Sequence, residues 1–432
     1  MARRISLPPS AVNPMVPHDS YTPRSLPARL IARLRGRALN PAPPWRPFAG
    51  PGGGAPSEIR FDIVSGIDAA RAQGLRVIEV RPESTYRRDA PAFANIERLS
   101  PERRKWFETQ LSSERAVPAG LVAEVGPAIM FGHGYVAMPN RGILAESICN
   151  TSLVTPARNY GLHRTETTAT WTGAPLAAER IIRGPAATLR NLGEFVWGHW
   201  IMELLPRIEL FRAYPRFDRL KFVVAANTNR VFYDSLLACG IAADNILEVD
   251  PSRPIGFENH VCVTPVFDNH RWIAPGNAAF LHAAGRRALA GRQNSDASAP
   301  RRIFLTRDDA RHRKLLNQDA VLDMLRPAGF VPFATARESF ARQVEIFSRA
   351  EAVIAVMGSG VSNLVFSPPG ADVIYLAPNR DALMFFTDVA LIAGHRLGLV
   401  FGESVAKETN YYSDFTIEID DLRRCLRAMD LS

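Results

Sequence analysis

No stretch of about 18 or more apolar residues occurs in the 432-residue chain, so the sequence offers no membrane-spanning helix. Cysteine is scarce. The four present, Cys149, Cys239, Cys262 and Cys425, lie far apart with no CxxC pair. That spacing excludes a zinc-ribbon pattern and a disulfide framework, and scattered thiols suit a reducing compartment. The N-terminus lacks the charged-then-apolar layout of a secretory signal, so a cytoplasmic location is expected. Asn150-Thr151-Ser152 matches a glycosylation acceptor, but such triplets arise by chance. There is no internal repeat. The folded body also lacks a charge of one sign. Of the net +9, residues 1–57 supply +7, from eight arginines against Asp19, leaving +2 for everything after. No phosphate-backbone footprint and no nucleic-acid partner are therefore expected.

What is present is ordinary globular composition, 47% apolar and 22% charged. Residues 1–56, rich in Pro, Gly and Arg, cannot bury enough apolar surface to offset ordering entropy and are expected to be disordered. Within them Pro27–Leu39 places Leu30, Ile31, Leu34 and Ala38 on one helical face and Arg29, Arg33 and Arg37 on the other. That segment is a candidate for peripheral contact with an anionic membrane at the inner face of the plasma membrane. A solvated basic tail or a helix docked on the body is the plainer account.

The body reads as alternating strands and helices. Leu75–Val80, Leu121–Val125, Tyr135–Met138, Lys221–Ala225, Ile246–Val249 and Val261–Thr264 read as strands. Residues 194–213 read as a helix containing Pro206, and Val231–Cys239 as another. Gly291–Pro300 reads as a linker. Beyond it come strands at Ile303–Thr306, Phe330–Phe333, Val353–Met357 and Val373–Leu376. Between them are helices from Asn317 to about Arg326, over Ser339–Ala350 and over Val361–Phe366. Such alternation implies a parallel sheet covered on both faces. The expected organisation is a basic segment at 1–56, an acceptor-side α/β domain at 57–295, a nucleotide-binding domain at 296–400, and a tail at 401–432 packing back on the N-terminal domain.

Three constellations can carry chemistry. Met357-Gly358-Ser359-Gly360-Val361-Ser362-Asn363 follows an apolar strand and opens a helix, where glycines and free N–H groups suit a diphosphate. Arg307, Arg311 and Arg313 lie just past a strand end, where ligands bind in open α/β sheets, and could clamp phosphate. Asp308-Asp309 beside them is weak as a metal site. His199 and Glu203, four apart, share a helix face and could move a proton or hold an imidazole in place. Taken alone, that segment is more simply a core helix with a satisfied histidine. His133, His260 and His270 lack ligand spacing and are expected to be structural.

The three blocks together resemble glycosyltransferase family 61, described in bacteria as capsular polysaccharide biosynthesis proteins. His199–Ile208 reads HWIMELLPRI and Phe304–Gln318 reads FLTRDDARHRKLLNQ. Gly329-Phe330, Gln343, Phe347 and Ala350 precede MGSGVSNLVF at Met357–Phe366. Order and spacing agree over about residues 190–378. Met357 stands where the family has His, and Gln318 where Glu is common. The resemblance implies two Rossmann-like α/β domains facing across a cleft (GT-B), and an inverting sugar transfer from a nucleotide-sugar to a glycan or polysaccharide acceptor. It implies neither cofactor nor obligatory metal. On this reading His199 or Glu203 serves the acceptor. The donor diphosphate is met by Arg307, Arg313, Asn317, Gly358, Ser359, Gly360 and Asn363. Two other classes stand beside it. An NADP-dependent oxidoreductase is suggested by the near-miss Gly358-x-Gly360-x-x-Asn363 and by Arg380, and a non-catalytic scaffold of a polysaccharide assembly complex by Met357.

Overall fold

A computed structural model describes residues 58–139, 142–148, 162–164, 167–172, 176–226, 228–268, 271–290, 299–307, 310, 312–379, 384–405 and 413–432. The basic segment 1–56, Cys149 to Ser152, Asp308, Asp309, Arg311, His270, Arg380 and most of the expected linker lie outside these residues. Within them the chain is mixed α/β with two large sheets, neither closed into a barrel. No described helix is long and apolar enough to cross a membrane.

The C-terminal sheet follows from its sequence. AVIAV at Ala352–Val356 is buried along its whole length, as expected of a central strand covered on both faces. Arg302–Leu305, Val331–Phe333, Ala352–Val356, Asp372–Pro378 and Arg396–Ser404 run parallel, in the spatial order second, first, third, fourth, fifth. Chain direction across the sheet therefore reverses between Arg302–Leu305 and Ala352–Val356. Ligands bind at such a reversal, beyond the carboxyl ends of the strands.

The N-terminal sheet is built around Arg180–Thr188, Lys221–Ala225, Ile246–Val249 and Ile255–Val263, parallel and in the order third, second, first, fourth. The long strand Gly120–Phe131 runs antiparallel beside the last of these and extends the sheet through five shorter strands. The chain leaving Thr188 passes through Arg190–Val196 into the helical segment that begins at Trp197.

The packing does not divide near residue 295. A single hydrophobic cluster joins Leu204, Ile208, Phe222 and Phe280 to Ile303, Val344, Val361 and Tyr375. The tail touches both halves: Asp421 accepts from the Asn95 amide at 2.8 Å and from Arg98 at 2.9 Å, and Arg424 pairs with Glu97 at 2.9 Å. Helix Ile419–Ala428 lies on the C-terminal sheet, so close that a β-carbon at Gly398 would sit 2.6 Å from Cys425 Sγ. The N-terminal chain also reaches into that sheet. Phe93–Ala94 adds a parallel strand beside Arg396–Ser404. The Asn95 amide donates to Phe401 O at 3.0 Å and accepts from Phe401 N at 2.7 Å. Arg88 makes a buried two-pronged pair with Asp388, both bonds 2.7 Å.

Candidate active site

The segment Trp197–Phe211 is helical but not one helix. A short helix Trp197–His199 continues as a π-helical turn Trp200–Leu204, and Arg207–Phe211 resumes beyond Pro206. Proline supplies the reason. The α-helical partner of Met202 O would be residue 206, which has no N–H. The buried Asn277 amide bonds Met202 O instead, at 3.1 Å. Arg207 Nε bonds Glu203 O at 3.2 Å. Aromatic side chains fix the helix from outside: Trp200 Nε1 donates to Ser235 Oγ at 2.8 Å, and Phe232 packs edge-on against Trp197 and Trp200.

On this frame His199 Nδ1 lies 3.0 Å from Glu203 Oε2. The imidazole is a quarter exposed, whereas the carboxylate is 1% exposed. Gly193 backs the ring so closely that a β-carbon there would lie 2.5 Å from His199 Cγ, and Phe267 meets it edge-on at 5.9 Å. Phe267 in turn touches Phe385 of the C-terminal half, centroids 5.7 Å apart. The loop carrying Gly193 is held by the buried pair Arg190–Glu194, at 2.8 and 2.9 Å.

The Gly358 turn meets this helix. A β-carbon on Gly198 would lie 3.3 Å from Ser362 Oγ and 3.6 Å from Ser359 Cβ. Gly358 is extended, with φ −179°, so a side chain there meets no backbone objection. What excludes one is the Arg307 guanidinium, with which a β-carbon at Gly358 would collide. Ser359 and Gly360 are half-buried at the start of the 3-10 helix Ser359–Phe366. The chain after Arg307 folds back, so that His312 O lies 3.4 Å from Arg307 Nη2. Arg313 takes a left-handed backbone, φ 58°, a strained conformation for a side-chain-bearing residue. It is held there because Asp414 accepts from Lys314 N at 2.8 Å and Leu316 N bonds Phe415 O at 2.8 Å.

Two residues expected to bind the donor have protein partners. Asn363 is fully buried, accepting from Trp197 Nε1 at 3.0 Å and donating to Gln343 Oε1 at 2.7 Å. It ties the turn to the helix of His199. The Asn317 side chain donates to Ile417 O at 2.8 Å and accepts from Ile417 N at 3.2 Å, and makes no helix-capping bond. Met357 is 2% exposed and packs in the core, so this position offers the site no polar group.

His260 is buried and stacks on Phe257, whereas His133 is half-buried. Burial, and the charge of Arg190 as a smaller cause, push His133 down to about 4. Burial pushes His260 down to about 4, against a smaller opposing effect of its hydrogen bond to the Ala186 backbone. A histidine kept neutral in the fold binds fewer protons than in the unfolded chain, so stability should fall as pH drops from about 6.5 toward 4. His260→Asn should flatten that part of a denaturation-versus-pH curve. An unchanged slope would show that His260 is not the group responsible. Among the described residues no group of three His, Cys, Asp or Glu side chains is gathered to hold a metal.

Sequence reasoning missed Arg207, although it lies four residues from Glu203 on the same helical face. It also missed Phe267 and Phe385, which no motif marks. Residues 197–374 match the family model described as Glycosyltransferase 61, which supports a glycosyltransferase. No curated protein matches the chain.

Proposed function

We propose, from this glycosyltransferase 61 segment at residues 197–374, that the chain transfers a sugar with inversion from a nucleotide-sugar to a saccharide acceptor. One observation carries the reading. The helix of His199 and Glu203 abuts the Gly358 turn at the chain reversal of the C-terminal sheet, and Arg307 lies over that turn. The three sequence blocks thus converge on one place. Strand orders of 3-2-1-4 and 2-1-3-4-5, with their carboxyl-edge connections meeting at Gly198 and Ser359, favour a two-Rossmann GT-B arrangement.

In this reading the acceptor hydroxyl attacks the anomeric carbon and gives its proton to His199. The bond to the nucleoside diphosphate breaks, and the diphosphate leaves with the bonding pair. An oxocarbenium-like transition state needs positive potential at the departing phosphates. Arg307, Arg313 and the N–H groups of Ser359 and Gly360 supply it. Asn363 and Asn317 serve as braces for this frame. Asn363 also occupies the place of the third glycine in a dinucleotide fingerprint, where its buried amide bonds favour a brace over close helix–strand packing.

A screen of nucleotide-sugars by calorimetry tests the donor assignment. Arg307→Ala and Arg313→Ala should each weaken donor binding by roughly 1.5–3 kcal/mol, about tenfold or more, without unfolding the protein. Gly358→Ala should produce a similar loss by pushing the guanidinium aside, and should add little to Arg307→Ala. Unchanged donor affinity in all three variants would move the phosphate site elsewhere.

A further inference from the structure

We infer that Arg207 is a positioning residue for His199, acting through Glu203. The inference rests on the catalytic reading of His199. Glu203 is 1% exposed and has two side-chain neighbours on its carboxylate, the His199 imidazole at Oε2 and the Arg207 guanidinium at Oε1. Arg207 is itself 5% exposed, and Glu203 is its carboxylate partner among the described residues. A carboxylate removed from water needs a counter-charge, and a guanidinium supplies one permanently. At 3.5 Å the Nη2–Oε1 contact is long and acts by charge more than as a strong hydrogen bond. Orientation comes from the second contact, Arg207 Nε to Glu203 O at 3.2 Å, which uses a main-chain oxygen next to the Pro206 break.

The consequence falls on the imidazole. An ionised carboxylate can only accept, so Nδ1 must carry the ring proton. The lone pair is then left on Nε2, at the opposite edge of the ring, as a general base requires. Gly193 and Phe267 stop the ring from turning away from this arrangement. Arg207 lines a small, mostly apolar cavity with room for about one water molecule, together with Phe211, Val261, Thr188, Glu146 and His260.

The test uses the full chain with Arg207→Lys, Arg207→Met, Glu203→Gln and the Arg207→Met/Glu203→Gln double variant. Ring nitrogen NMR of His199 reads the tautomer without any substrate. The wild type should show the proton on Nδ1, Arg207→Met should lose that preference, and Arg207→Lys should restore part of it. In turnover, Arg207→Met should lower kcat about 10²-fold with donor KM nearly unchanged. The double variant should be no slower than Glu203→Gln alone and should melt higher than either single variant, because no buried charge is left unpaired. An unaltered His199 tautomer in folded Arg207→Met would overturn the inference. So would a loss of kcat that multiplies with that of Glu203→Gln. Wild-type protein with the expected tautomer but no sugar transfer would count against the catalytic reading and leave the Arg207 coupling standing.

Discussion

His199→Ala is expected to cut turnover by about 10²–10⁴-fold, the usual worth of general acid–base assistance. The unfolding free energy should change by only about 1 kcal/mol, because the imidazole is a quarter exposed and its loss strands no buried charge that Arg207 does not already balance. Glu203→Gln should behave differently, although it preserves volume. The carboxylate is buried against Arg207, so neutralising it leaves a guanidinium out of water with a weakened partner. Breaking a buried pair from one side costs roughly 3 kcal/mol or more. Glu203→Gln should therefore lose stability and turnover together, whereas His199→Ala loses turnover almost alone. Steady-state kinetics beside denaturant unfolding separates the two. Near-normal turnover in both variants would make this helix scaffold and send the search for the base to other polar groups.

Arg88→Met should destabilise the fold strongly, by about 3–5 kcal/mol. Arg88 and Asp388 lie 300 positions apart, and their side chains are 0% and 2% exposed. Burial pushes the Asp388 carboxyl up, and Arg88 is the main opposing influence. Removing Arg88 strands that carboxyl in the core, whereas Arg88→Met/Asp388→Leu should recover most of the loss. The same pair joins the N-terminal chain to the C-terminal half, beside the Phe93–Ala94 strand and the Asn95 bonds. A fragment beginning near residue 296 would lack these contacts and the helix Gly276–Leu289, whose Gly285 packs against Phe366 and Val344. It should fail to give a cooperative unfolding transition. A stable, cooperatively melting fragment would show that the shared core is dispensable.

Local pattern was enough for much of the fold. Tyr135–Met138, Lys221–Ala225 and Ile246–Val249 begin and end where their apolar runs do. The βαβ alternation after residue 300 was equally plain, because parallel strands buried on both faces are written as short apolar blocks. The sequence expectation for the strand near Leu121 ends at Val125, before Gly126-Pro127. Gly126 instead takes φ +80°, and the strand continues to Phe131. Phe93–Ala94 carries no local signal, because a two-residue strand has no periodicity and its partner, Gly398–Leu399, is far away in sequence.

The site was legible in part for the same reason. The His199–Glu203 pair follows from helical spacing and Arg307 from its place at a strand end. Asn317 and Asn363 stand in the motif blocks, and the sequence carries no sign of what else they bond. Their actual partners, Ile417, Trp197 and Gln343, are tertiary and carry no local signal.

The most direct measurement is a crystal structure of the full chain with a nucleotide-sugar analogue bound. The expected result places the diphosphate within hydrogen-bonding distance of the Arg307 guanidinium and of the Ser359 or Gly360 N–H, with the sugar turned toward His199. A diphosphate bound away from Arg307 and the Gly358 turn, or a sugar directed away from the Trp197–Leu204 helix, would contradict it.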